Sequence, residues 1–228
     1  MNKQGNTYTF LYSVVLVVVV AALLAVVSLS LQPLQNENRE NEKRQNILSA
    51  IRVSSTAENS AELFNTYIKE QFIVNANGEK VEGNAFQVNV PEQYGKPAAQ
   101  RRLPVFVADV DGATKYILPI YGAGLWGPIW GYISLDDNKA TIYGVFFDHS
   151  GETPGLGAEI TTPKFQNQFQ QKQIFEGGQL VGIRVVKGGG ASGAHQVDAI
   201  SGGTITSQGV EAMIKSYLKN YEPFLKQR

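Results

Sequence analysis

The chain opens with an unbroken apolar run. Phe10 to Leu31 is 22 residues without a charge, dominated by Val, Leu and Ala. As a helix it would extend roughly 33 Å, enough to cross a hydrocarbon core of about 30 Å. This predicts a transmembrane anchor with its flanks over residues 1–35 and a soluble domain over residues 36–228. The alternative is a cleavable signal peptide, because Ser28-Leu29-Ser30 is a small-x-small site. Signal peptides, however, usually carry only about 7–15 apolar residues. No Cys follows the run, which excludes a lipoprotein. Lys3 lies on one flank, and Arg39, Lys43 and Arg44 lie on the other, mixed with Glu37, Glu40 and Glu42. Counting Lys and Arg does not decide the orientation.

Beyond the run the period of the pattern changes twice. Asn36 to Gln45 is almost wholly polar and reads as a solvated spacer or as a helix leaving the membrane. Ser55-Thr56-Ala57-Glu58 has the form of a capping box, and Leu63, Phe64, Tyr67 and Ile68 then make an apolar helical stripe. From Gln71 the spacing becomes that of strands. Phe72 to Val74 and Val81 flank an Asn77-Gly78 turn, and Phe86, Val88 and Val90 alternate with polar residues. Val105 to Val110 and Thr114 to Tyr121 bracket Asp111-Gly112, a hairpin signal. Ile129 to Leu135 and Thr141 to Phe147 bracket Asp136-Asp137-Asn138. Thr162-Pro163 predicts a helix start, with Phe165 and Phe169 facing inward. Leu180 to Val186 reads as a further strand. A last helix carries the stripe Val210, Met213, Ile214, Tyr217, Leu218 and Tyr221. The sum is an α+β domain built on antiparallel sheet, behind one membrane helix.

Composition narrows the chemistry. The 228 residues hold 20 Lys and Arg against 20 Asp and Glu, so the chain is formally neutral and lacks the basic excess of a nucleic-acid binder. The first 31 residues hold only Lys3 of these charges, which leaves the rest of the chain at 19 basic against 20 acidic residues, or −1. With no Cys, disulfides, thiolate zinc sites, Cys-ligated clusters and Cys nucleophiles are all excluded. With only His149 and His195, multi-histidine metal sites are excluded too. Chemistry must come from hydroxyls, carboxylates, backbone groups or a borrowed cofactor.

Two stretches are glycine-dense beyond the needs of folding. One is His149 to Gly157, HSGETPGLG; the other is Lys187 to Gly209, with seven Gly in 23 residues. Glycine lets backbone amides approach a ligand closely, and successive N–H groups form anion-binding nests. The second stretch leads into the last helix, whose N-terminus offers free amides and a positive dipole end to a phosphate. The bland reading is that Thr206 or Ser207 is an ordinary N-cap after a Gly202-Gly203 turn. No GxxxxGK[ST], no helix-opening GxGxxG and no GxSxG is present.

Asp198-Ala-Ile-Ser201-Gly-Gly-Thr204-Ile-Thr206 resembles the flavinylation motif of FMN-binding domains, in which Asp precedes S/T-G-A-T/S-x-T/S. The family usually has Ala where this chain has Gly203; Gly is only smaller, so the site is expected to survive with a looser turn. The segments GLWGPIWGYISL, IYGVFF and ETPGLGAEI, with Lys187-Gly-Gly189, extend the resemblance over the anchor and the whole domain. The chain resembles the C subunit of the sodium-translocating NADH:quinone reductase. A sister family, the G subunit of the Rnf ferredoxin:NAD oxidoreductase complex, shares the anchor and the motif, but Gly124-Leu-Trp126-Gly favours the former.

The resemblance implies an electron-carrying subunit with one covalent FMN, esterified through its phosphate to Thr206 by a flavin transferase. It implies that Ser201, Gly202 and Thr204 line the phosphate; Lys187 either balances its charge or is a solvent-exposed lysine at a strand end. Thr153 and Leu156, with Glu152, are implied near the isoalloxazine, and Trp126 and Trp130 either stack there or are simply buried. It also implies an inner-membrane location with the domain on the periplasmic side, and a role between NADH and ubiquinone coupled to sodium export. Nicotinamide chemistry would belong to partner subunits, because this chain has no nicotinamide fingerprint. The alternative of another class is a membrane-anchored binding module holding a free ligand.

Overall fold

The computed structural model describes residues 5–227. The chain divides into two compact units between Lys43 and Arg44. Helix α1, Asn6–Ala50, contains the apolar run and is long and apolar enough to cross a membrane. Its Val and Leu side chains from Phe10 to Leu31 are exposed, as a lipid-facing helix requires. The polar stretch 36–45 is helical and continues α1 without a break, so of the two expectations it is the helix and not the extended spacer that forms.

In the second unit, α2 (Ser60–Tyr67) leads into β1 (Ile68–Val74), which turns at Asn77-Gly78 into the short β2 (Lys80–Val81). A one-turn helix α3 (Val90–Tyr94) precedes the long strands β3 (Leu103–Val110), β4 (Ala113–Ala123), β5 (Pro128–Leu135) and β6 (Ile142–His149). These form one antiparallel sheet in the order β2-β1-β3-β4-β5-β6, with the two hairpins where the Asp-Gly and Asp-Asp-Asn turns predict them. After β6 come α4 (Pro163–Gln166), a small hairpin β7 (Phe175–Glu176) and β8 (Gln179–Leu180), the pair β9 (Arg184–Val186) and β10 (Gln196–Asp198), and the closing helix α5 (Thr204–Leu225).

The sheet is covered on both faces, which explains why its strands read as nearly continuous apolar runs. On one face the stripe Val210, Met213, Ile214, Tyr217, Leu218 and Tyr221 of α5 packs on Phe72, Leu118, Ile120, Ile129 and Ile133. On the other, Ile47, Leu48 and Ile51 with Phe64 pack on Ile73, Phe106, Ile117 and Tyr132. Adjacent residues such as Ile117 and Leu118 therefore enter different cores, as the period of two demands. The last turn of α1 is pinned there by Ser134, whose buried hydroxyl donates 2.6 Å to the Ala50 carbonyl.

Several local expectations are overturned by side-chain hydrogen bonds. The capping box at Ser55–Glu58 is not used: the Thr56 amide donates to Asn59 Oδ1, and the helix starts at Ser60. Phe86, Val88 and Val90 do not form a strand. Asn84 and Asn89 each accept an amide from two or three residues ahead, which opens a 3-10 turn and then α3, and Pro91 at the start of α3 suits a helix rather than a ladder. The helix start expected at Thr162-Pro163 holds, with Thr162 at the N-cap position and Pro163 first in α4, but the Thr162 hydroxyl donates to the Glu159 carbonyl instead of capping, and the helix lasts one turn; Phe165 and Phe169 are buried as expected. The strand expected over Leu180 to Val186 is broken at Gly182, whose φ of +69° turns the chain. Its second half pairs in parallel with β10, a departure from the all-antiparallel expectation.

Tyr221 is fully buried and its hydroxyl donates 2.8 Å to the Pro104 carbonyl, tying α5 to β3. Burial pushes that phenol well above its ordinary pKa, so it acts as a donor throughout the accessible range. Tyr221→Phe removes this bond and should cost about 0.5–1.5 kcal/mol in unfolding free energy. Urea denaturation of the detergent-solubilised chain, followed by circular dichroism, measures this.

Candidate functional site

Three segments meet at one end of the sheet. The antiparallel register pairs Ile129 with His149, so the β4–β5 turn (124–127) and the loop after β6 leave the sheet side by side. The second turn of α5 is brought against them at Gly209, where an added Cβ would lie 2.5 Å from the Ala123 carbonyl. A larger residue at 209 would lift the helix away from this end.

The meeting point is a single hydrogen-bonded pair. Thr206, only 1% exposed, donates from Oγ1 to Glu152 Oε2 at 2.5 Å. The other oxygen of Glu152 accepts the Trp126 amide at 2.9 Å. Backbone closes on the pair from two sides: a Cβ on Gly157 would collide with both Thr206 Oγ1 and Glu152 Oε2, and one on Gly124 would collide with Glu152 Oε1. Burial by itself raises the Glu152 pKa; the Thr206 hydroxyl, the Trp126 and Leu125 amides and nearby His149 outweigh it and hold the carboxyl below its ordinary value. Glu152 is therefore a buried, ionised acceptor.

The turn that delivers Thr206 is built from the motif itself. Gly202 has φ +75°, a conformation natural only to glycine. Ser207, fully buried, donates 2.8 Å to the Gly203 carbonyl and accepts the Ile200 amide at 3.0 Å. Neither Thr206 nor Ser207 is the N-cap: Gly203 is, and Thr206 is the third residue of the helix. The reason is that the glycine reversal and the Ser207 staple start the helix one turn earlier. The first main-chain helical bond runs from Ser207 N to Gly203 O, so the amides of Thr204, Ile205 and Thr206 lie ahead of it. The turn is tight, not loose. A Cβ on Gly203 would lie 2.9 Å from the Leu156 carbonyl and 3.0 Å from Ile200 Cγ2, so this chain uses the smaller residue to bring the two loops together.

Beside this turn lies a groove of about 870 Å³ whose lining includes Gly155, Lys187, Ser201, Gly202 and Thr204. Four of the residues singled out from the sequence thus share one cavity. Asp198 also lines it, with Oδ1 accepting the Ala191 amide at 2.8 Å to hold the Lys187–Gly193 loop. Thr153 is exposed, and its carbonyl closes the next turn by accepting the Leu156 and Ala158 amides. Glu152 points the other way, inward to Thr206. Trp126 is not buried: it is 70% exposed, while Trp130 on β5 is half-buried. Leu156 is 42% and Ile205 57% exposed, and Leu125 is exposed beside Trp126. Four large apolar side chains therefore rim the end of the domain where Thr206 lies, a concentration that costs hydrophobic free energy unless a ligand or partner covers it. The Ser207 staple and the close approaches at Gly124 and Gly157 were not foreseen individually; the only sequence signal for them is glycine density.

Residues 124–219 match the family described as FMN-binding domain. The chain is 31% identical to the C subunit of the Na(+)-translocating NADH-quinone reductase of Pasteurella multocida, over 98% of this chain and 95% of that protein. It is 30% identical to the corresponding protein of Vibrio vulnificus, over 91% and 89% of the two chains. The crystal structure of the C subunit from Parabacteroides distasonis superposes with a TM-score of 0.82 at 50% identity, covering 87% of this chain and 98% of that one. The Shewanella oneidensis NqrC crystal structure gives 0.71 at 27% identity, over 82% and 96%.

The geometry makes two stability predictions. Gly157→Ala presses a methyl group into the Glu152–Thr206 pair without demanding a new backbone conformation, and should cost about 1–3 kcal/mol in chemical denaturation. Gly151→Ala, where the added Cβ meets open space, should be nearly silent. The second prediction concerns pH. A carboxylate held below its unfolded pKa contributes stability that is present above its ordinary value of 4.5 and lost as the pH falls through the lower native value. Glu152→Gln should flatten that part of the acid limb of a melting-temperature profile.

Proposed function

This chain belongs to the family of C subunits of the Na(+)-translocating NADH-quinone reductase, and we propose that it carries one FMN, covalently joined through phosphate to Thr206. FMN supplies the electron-transfer chemistry that no side chain of this protein has, and the protein's part is to bind, orient and shield it. The observation that carries the reading is the position of Thr206: a hydroxyl in the first turn of a 22-residue helix, whose amides at 204–206 precede the first main-chain helical bond, and around which the domain leaves apolar side chains uncovered.

The residues present fit such a group. The amides of Thr204, Ile205 and Thr206 and the dipole of α5 favour an anionic phosphodiester. Ser201, Gly202 and Thr204 line the adjoining groove, and Lys187 adds a positive charge there. Trp126 and Leu156, with Thr153 beside them, offer an apolar surface to a planar ring; Ile205 extends it. Glu152 is not a ring contact in this reading but the partner of the Thr206 hydroxyl. Helix α1 anchors the domain with a single span, the domain lies on the periplasmic side, and other subunits of the same complex exchange electrons with the flavin. Maturation requires a flavin transferase.

The test is direct. After coexpression with a flavin transferase, denatured chain on a gel should show a flavin band fluorescing under ultraviolet light, and Thr206→Ala should abolish it. A fluorescent band that survives Thr206→Ala moves the attachment to another residue, such as a histidine. A chain that binds flavin only before denaturation is a non-covalent carrier.

A further inference from the structure

We propose that Glu152 is the general base of its own protein's flavinylation: it takes the proton from Thr206 Oγ1 as that oxygen attacks phosphorus. This rests on the covalent attachment to Thr206 proposed above and adds a role that the groove and the apolar rim do not account for. A threonine hydroxyl is a poor nucleophile until a positioned base removes its proton. Such a base must lie within hydrogen-bond reach of that proton, and Glu152 Oε2 accepts it at 2.5 Å.

The carboxylate is held in place for this task by groups that belong to neither reactant. The Trp126 amide binds its other oxygen, the Leu125 amide also faces it, and the Glu152 amide donates to His149 Nδ1 at 3.2 Å. These bonds come from the β4–β5 turn and the end of β6, so they persist if the exposed turn 153–156 moves aside to admit the donor. Oγ1 needs that movement, because Thr206 is closed over by the chain at Gly157. The carboxyl, held below its ordinary pKa, is ionised throughout the neutral range; part of that lowering is the Thr206 hydrogen bond itself, which is given up as the proton transfers.

The step balances with a flavin dinucleotide as donor, since FMN alone has no leaving group on its phosphate. The Thr206 Oγ1–phosphorus bond forms, the pyrophosphate P–O bond of flavin adenine dinucleotide breaks, and AMP departs with the bonding pair. The hydroxyl proton moves to Glu152. Protonated Glu152 is then neutral beside the new phosphodiester anion, where a carboxylate would repel it. No oxidation or reduction occurs.

The experiment measures the initial rate of fluorescent-band formation on the full chain in detergent, with a flavin transferase and flavin adenine dinucleotide. Glu152→Gln keeps an acceptor for the hydroxyl but removes the base, and should slow labelling roughly 10²–10⁴-fold. The ratio of the variant's rate to that of the unsubstituted chain cancels the transferase's own titration. It should rise about tenfold per pH unit from roughly pH 6 to 9, because solvent hydroxide must now do the work. Glu152→Asp, one methylene shorter, should restore a pH-independent ratio at a reduced rate. An unchanged far-ultraviolet circular dichroism spectrum and a single cooperative thermal transition at neutral pH show that the variants are folded, with Glu152→Gln melting lower by the stability its carboxylate contributed. Should Glu152→Gln misfold, the Glu152→Asp ratio alone decides, a pH-dependent value overturning the role. Labelling of Glu152→Gln at the unsubstituted rate, or a reduced rate whose ratio ignores pH, overturns the role of Glu152 and leaves the attachment to Thr206 standing. No label on the unsubstituted chain overturns the attachment itself, and this role with it.

Discussion

The site depends on one buried carboxylate and the donors that surround it. Glu152 carries a charge out of water, which is tolerated only because the Thr206 hydroxyl and main-chain amides from the β4–β5 turn replace its hydration. The consequence is that three segments with no local reason to meet are held at one point. The loop after β6 supplies the carboxylate, the β4–β5 turn supplies amides, and the first turn of α5 supplies the hydroxyl. Gly124 and Gly157 follow from the same requirement, since any side chain there would occupy the space of the hydrogen bonds.

The rest of the domain is a frame that makes this meeting repeatable. The sheet is covered on both faces, so β4, β5 and β6 cannot slip register without exchanging two cores at once. That fixes where their ends emerge. Helix α5 lies along one face on a stripe of six buried side chains, and its start is set by Gly209 against Ala123 and by the Ser207 staple. The frame is rigid where it positions Thr206 and open where Trp126, Leu156 and Ile205 stand uncovered. That contrast suits a protein with no cysteine and two histidines, which must import its redox chemistry and hold it in place.

The strand hairpins and the α5 stripe were legible because each depends on local signals: an Asp-Gly turn, a period of two, a period of 3.6. Thr206 was legible because the motif places a hydroxyl after glycines at a helix start. The errors lie where a side chain competes for a backbone amide. Asn84 and Asn89 turn an alternating segment into short helices, Asn59 displaces an expected capping box, and Ser207 starts α5 a turn early. Whether an Asn or Ser bonds its own backbone depends on the angle at which the chain arrives, which the residue types do not encode.

The amino-acid sequence by itself determined the apolar span, the α+β class, the antiparallel sheet, and the absence of thiol and multi-histidine chemistry. These follow from residue type and spacing along the chain. Only the tertiary structure decided that Glu152 faces Thr206 rather than the groove, that Trp126 stands in solvent, and that β9 and β10 run parallel. Those facts depend on contacts between residues distant along the chain, 54 positions apart for Glu152 and Thr206. Such contacts form only when the sheet register and the packing of α5 have already been chosen.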